Sequence, residues 1–85
     1  MEPRYQALRT LYDIVKNDPQ PTTYPCRPRE IILRLMLDWN IIADYLHELK
    51  EENFVVTKQL DTLVINITAA GIEKAVALTR EKKMI

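Results

Sequence analysis

The stretch REIILRLMLDWNIIADYLHELKEENFVVTKQLDTLVINITAAGIEKAVAL, Arg29 to Leu78, decides the fold. Its apolar residues change period twice. Up to Glu52 they recur every three to four residues, the spacing of a helical face. From Phe54 to Ile67 they are β-branched and alternate, and from Ala69 the helical spacing returns. The spacing predicts a helix starting near Pro28, a favoured first-turn residue, with Ile31, Ile32, Leu35 and Met36 on its buried face. Leu37 and Asp38 form the turn, with Asp38 as N-cap of a third helix from Trp39 to about Glu52. In that helix Ile42, Tyr45, Leu46 and Leu49 share the buried side, and Asn40, Asp44, His47 and Glu51 the opposite one. Asn53 stands where a left-handed helix cap is needed.

Two β-branched runs follow, Phe54 to Lys58 and Thr62 to Ile67. Gln59-Leu60-Asp61 joins them too briefly for anything but a hairpin. Leu63, Ile65 and Ile67 fall on one sheet face, and Thr62, Val64 and Asn66 on the other. Thr68 caps a last helix, Ala69 to about Lys82. Its stripe is Ile72, Ala75, Val76 and Thr79, with Leu78 beside it. Lys82 and Lys83 stand where cations complement the helix dipole. Gly71, the single glycine, lets this helix approach the hairpin closely.

Upstream, a first helix runs from about Pro3 to Lys16. Tyr5, Leu8, Leu11, Tyr12 and Val15 form its stripe, widened by Ala7 and Ile14, while Arg9, Asp13 and Lys16 face solvent. A stripe this wide predicts a second partner surface, hence a homodimer through the first helix, at residues such as Leu11 and Ile14, or through the last. Asn17 to Pro28 holds four of the five prolines and reads as a semi-rigid loop. Within it Thr22-Thr23-Tyr24 has the propensity for one short edge strand.

The order helix, short strand, helix, helix, hairpin, helix makes one α+β domain of residues 1–85, with no internal repeat. Arg29-Glu30-Ile31-Ile32, Tyr45-Leu46-x-x-Leu49, Asn53-Phe54-Val55 and Ile67-Thr68-x-x-Gly71 resemble the small archaeal and bacterial winged-helix regulators. More loosely they are similar to the PadR and MarR groups. The resemblance covers roughly the last two-thirds of the chain and rests on core and cap positions. It departs from the pattern in its longer proline-rich loop, in Asn53 where Gly is usual, and in a short wing with one cation. It implies a winged helix-turn-helix acting as a DNA-binding transcription regulator, commonly a dimer reading two half-sites.

On that reading the third helix enters the major groove and offers Asp38, Trp39, Asn40, Ala43, Asp44 and His47. Asn40 suits adenine, and His47 a phosphate or a guanine edge. Arg27, Arg29 and Arg34 would hold one backbone strand and Lys58 would serve the wing, joined by Arg4 and Arg9 if the first helix packs nearby. Charge argues against it. Phosphate contacts dominate affinity for DNA. Yet Lys50 is the only cation between Asp38 and Glu52, against five carboxylates, and twelve basic residues balance twelve acidic ones in the whole chain. The alternative is a protein-interaction module that does not bind DNA, with Trp39 as its anchor and Tyr24 as a further contact.

Other classes are disfavoured. Cys26 and His47 are the only nucleophile–base pair and carry no orienting group, so no enzyme activity, cofactor or metal site is expected. The lone cysteine fits a reducing cytoplasm. The start lacks the pattern of a secretion signal, and the longest uncharged run, Thr62 to Ile72, is too short to span a bilayer.

Overall fold

A computed structural model describes residues 2–83, with side chains described to Arg80. Helix α1 spans Pro3–Val15, a 3-10 turn Pro21–Thr23, helix α2 Pro28–Leu35 and helix α3 Trp39–Glu51. Strands β1 (Val55–Gln59) and β2 (Leu63–Ile67) form an antiparallel hairpin, and helix α4 spans Ala69–Lys83. The hairpin register runs from Val55 opposite Ile67 to Gln59 opposite Leu63. The architecture is therefore α+β, four helices on a two-stranded sheet. Among the described residues no helix is long and apolar enough to cross a membrane.

Helix α1 is the hub. It packs on α2, α3, α4 and β2. Ala7, Leu8, Leu11 and Val15 are fully buried, and Tyr5, Tyr12 and Ile14 pack half-buried against the same core. This corrects the expectation of an interface at Leu11. The wide stripe is consumed inside the chain, because several elements surround the helix rather than one. Ile31 from α2, Ile42 and Leu49 from α3, Ile65 and Ile67 from β2 and Ala75 from α4 complete the core.

The junction between α3 and α4 is built from backbone. Asn53 adopts φ 65°, its N–H donates to the Lys50 carbonyl at 3.0 Å, and the Phe54 N–H donates to Leu49 at 3.0 Å. These two bonds are the Schellman closure of a helix, with Asn in the left-handed position. Thr68 then joins the two helices. Its backbone N–H donates to the Phe54 carbonyl at 3.0 Å and its hydroxyl donates to the Asn53 carbonyl at 2.7 Å. The same oxygen accepts from the Gly71 N–H at 3.0 Å, so Thr68 is the N-cap of α4. Gly71 lies against Phe54, where an added Cβ would stand 2.2 Å from the Phe54 oxygen and 2.8 Å from Ile67 Cγ1.

Three local expectations need correction. Thr22–Tyr24 is not a strand. Pro21 opens a 3-10 turn there, and Pro25, which has no N–H, precedes the single residue that pairs. That residue is Cys26, bridged to Ile65 by two backbone bonds of 2.9 Å. β2 thus lies between β1 and Cys26. Its second face is buried as well: Val64 and Asn66 are covered, and Asn66 Nδ2 donates to the Tyr24 carbonyl at 3.1 Å and more weakly to Thr22. Met36 leaves the core, because α2 ends at Leu35 and Met36 takes a left-handed conformation (φ 57°) that turns it to solvent, 82% exposed. Asp38 stands at the N-cap of α3, but its side chain makes no capping bond. The side chains of Lys82 and Lys83, expected to complement the α4 dipole, lie outside the described residues.

A polar cluster ties the start of α1 to the end of α3. Arg4 Nη2 and the Tyr5 hydroxyl both donate to Glu52 Oε1, at 2.9 and 3.1 Å. Lys74 of α4 lies 4.8 Å from the centre of the Tyr5 ring. The Arg4 bond holds the Glu52 carboxyl below the usual carboxylate range against the opposing effect of burial, helped by Tyr5 and Lys74. Since the folded-state pKa is depressed, the contribution is complete above the ordinary glutamate range. It is lost as pH falls through the lower folded-state value.

Two predictions follow from this packing. Gly71→Ala should cost about 1–3 kcal/mol, because backbone at the α3–α4 junction must move to admit a methyl group. Urea denaturation checks this, and an unchanged midpoint would contradict the close approach. Glu52→Gln should flatten the acid side of a melting-temperature-against-pH curve relative to the unsubstituted chain. Coincident slopes would show that the cluster is not linked to folding.

Candidate functional site

The candidate surface is the corner formed by α2, the Met36–Asp38 turn and α3. Asp38 begins α3 with extended backbone, and its carbonyl accepts from the N–H groups of Ile41 and Ile42 at 3.1 and 3.2 Å. Burial of Ile42, Leu46 and Leu49 then fixes which face looks outward. Asn40, Asp44, His47 and Glu51 are exposed, as the helical spacing predicts; Glu48 is exposed as well, and Ala43 is half-buried. His47 Nε2 lies 3.1 Å from Glu51 Oε1, and both side chains are largely solvated, so the pair contributes little. Lys50 is the one exposed cation of α3.

Trp39 is half-buried against the core and is not a free anchor. With Ala43, Leu46, His47, Lys50, Thr57 and Leu63 it lines a shallow depression of about 180 Å³ between α3 and the hairpin. Tyr24 likewise packs half-buried against the domain.

The arginines divide. Arg27 and Arg29, with Pro28, Glu30, Leu33 and Thr62, line a groove of about 510 Å³ where α2 meets the hairpin loop. Arg27 Nη1 donates to the Thr62 hydroxyl. Arg34 is exposed on the last turn of α2. Lys58 stands apart. Its neighbour Thr57 faces the α3 depression, so Lys58 belongs to the opposite sheet face, where it lines a groove with Thr22, Thr23, Val56 and Leu60. Arg4, half-buried, is engaged by Glu2 and Glu52. Arg27 and Arg29 therefore come together at one place. Asn40, Ala43 and His47 line up along α3, and Lys58 joins neither group. Of the residues expected at a protein interface, Leu11 is fully buried within the chain and Ile14 and Trp39 are half-buried.

Sequence reasoning missed the apolar part of the corner. Among the described residues the exposed large apolar side chains are Leu33, Met36, Leu37, Ile41, Val56 and Leu60. The first four lie in one short segment around the α2–α3 turn, and Leu33 and Met36 are 64% and 82% exposed. The signal was present: Leu33 and Ile41 sit off the buried stripes of their helices, and solvated helical positions are rarely aliphatic by accident when they cluster. Cys26, paired to Ile65 just before α2, is fully buried. Burial, with the nearby Glu30 carboxylate, pushes its thiol up to about 11, which suppresses the thiolate needed for nucleophilic chemistry.

Comparison of the chain with protein-family models, with curated proteins and with solved structures gives no match.

Proposed function

We propose that this chain is a winged-helix module that binds a protein partner through the α2–α3 corner rather than reading DNA with α3. One observation carries the reading. The outward face of the helix that would enter the groove presents Asp44, Glu48 and Glu51 to solvent, with Asp38 at its start and Lys50 as its only cation. Such a face repels phosphates at the distance where base edges are read. The exposed Leu33, Met36, Leu37 and Ile41 beside it have the chemistry of a protein contact.

A second reading keeps DNA as the ligand, and one observation favours it. Arg27 and Arg29 share a groove beside the hairpin loop, with Arg34 exposed further along α2. These three would grip a phosphate strand without sequence preference, in the manner of a weak winged-helix regulator.

Titration of random-sequence duplex DNA at two salt concentrations separates the readings. No binding is expected near physiological salt. Binding with a log–log salt slope of about −3 per chain, abolished by Arg29→Glu, would overturn the protein-binding reading and establish the second. In parallel, a photo-crosslinking residue at position 41 in the producing cell should give protein adducts that the same residue at the solvated position 13 does not. Equal labelling from both positions would contradict a docking surface at the corner.

A further inference from the structure

The corner carries both signs of charge: exposed arginines on α2, with half-buried Glu30 beside Arg29, and exposed carboxylates at Asp38 and along α3. Arg29 and Leu33 are one helical turn apart on α2, with Arg34 next in sequence, and all three are exposed. On α3, Ile41, Asp44, Glu48 and Glu51 follow at helical spacing along one side, and all four are exposed. Met36 and Leu37, also exposed, stand between the basic arm and the acidic arm. A basic arm, an apolar centre and an acidic arm make a self-complementary surface. Turned about a two-fold axis through its centre, such a surface presents each arm to its opposite and lays apolar on apolar.

We propose that the corner is occupied by a second copy of this chain. The two copies meet isologously at the α2–α3 turn, with Arg29 and Arg34 of each facing Asp44 and Glu48 of the other. The proposal rests on the reading of this corner as a protein-binding surface and names the partner. Two features of the molecule support that choice. The charges needed on the partner, arginines opposite carboxylates, are those this chain itself exposes on α2 and α3. Of the apolar residues that α1 was expected to offer, Leu11 is fully buried and Ile14 half-buried, and among the described residues the corner holds four of the six exposed large apolar side chains. Left-handed Met36 contributes by projecting its side chain out of the turn, where a helical residue would have pointed it inward.

Sedimentation equilibrium of the unaltered chain across the micromolar to sub-millimolar range tests this, with three variants. The wild-type chain should associate to a dimer, more weakly at high salt because the arms are solvent-accessible. Arg29→Glu/Arg34→Glu and Asp44→Lys/Glu48→Lys should each raise the dissociation constant roughly tenfold or more, since each sets like charges face to face. Mixed in equal amounts, the two variants should form a heterodimer, because both arms again meet their opposites. Leu33→Asp should abolish association. All these positions are exposed, and unchanged melting curves show that the variants fold. A wild-type chain that is monomeric throughout overturns self-association. So does a dimer that the charge variants leave equally tight, or a mixture that fails to pair. In each of those outcomes crosslinking of other proteins from position 41 would leave the protein-binding reading standing, and its absence would remove that reading too.

Discussion

The carbonyl of Phe54 is the point on which the rest of the chain is hung. It accepts the Thr68 N–H, and Gly71 packs against it so closely that no side chain fits between. That contact sets where β1 can begin and where β2 must end, and it fixes the angle at which α4 leaves the sheet. Upstream, the Schellman closure at Asn53 turns the chain out of α3 in the one direction that delivers Phe54 to this place. Three elements are positioned by a handful of backbone bonds and one missing methyl group. The buried side chains of α3 then determine which of its faces is left for solvent.

This local rigidity has a counterpart on the other side of the sheet, where the chain has no regular structure to offer. The proline-rich segment cannot supply a full strand. It contributes one paired residue, Cys26, and the carbonyls of Thr22 and Tyr24 to the Asn66 amide. A side chain performs the task that a ladder would have performed, and β2 becomes a central strand without a true third strand beside it. The cost of burying the Asn66 amide is offset by these bonds.

The elements were legible in the sequence wherever periodicity or cap chemistry decided them. The helices, the antiparallel hairpin, the left-handed Asn53, the Thr68 cap and the tight Gly71 are all consequences of local rules. What escaped was non-local. How many elements surround α1 cannot be read from its own stripe, which is why Leu11 reads as available although the core encloses it and half covers Ile14. The pairing of Cys26 rather than Thr22–Tyr24 depends on where prolines leave a free N–H within reach of Ile65. Met36 has the composition of a core residue and the backbone of a turn, and the backbone wins. At the candidate surface the charges of α3 were plain from spacing, because exposure there follows from the opposite face being buried. The division of the cations between two sides of the hairpin needed the strand register, and the apolar cluster at the corner needed the end of α2 to be located to the residue.

The bonds that hold the molecule differ in how much chain they enclose. Thr68 reaches Asn53 across only 15 residues, whereas Arg4 reaches Glu52 across 48. Closing the longer loop from a disordered chain costs about 1 kcal/mol more in entropy, before any ordering of the segment between. Residues 39–75 therefore hold a set of mutually supporting short-range contacts. Helix α1 packs on α2, the next helix in the chain, and beyond it on α3, β2 and α4. The segment at the hub of the finished interior is thus tied to the end of α3 across one of the longer loops in the chain, and its place there carries a larger cost in chain entropy than the junction at Thr68 does.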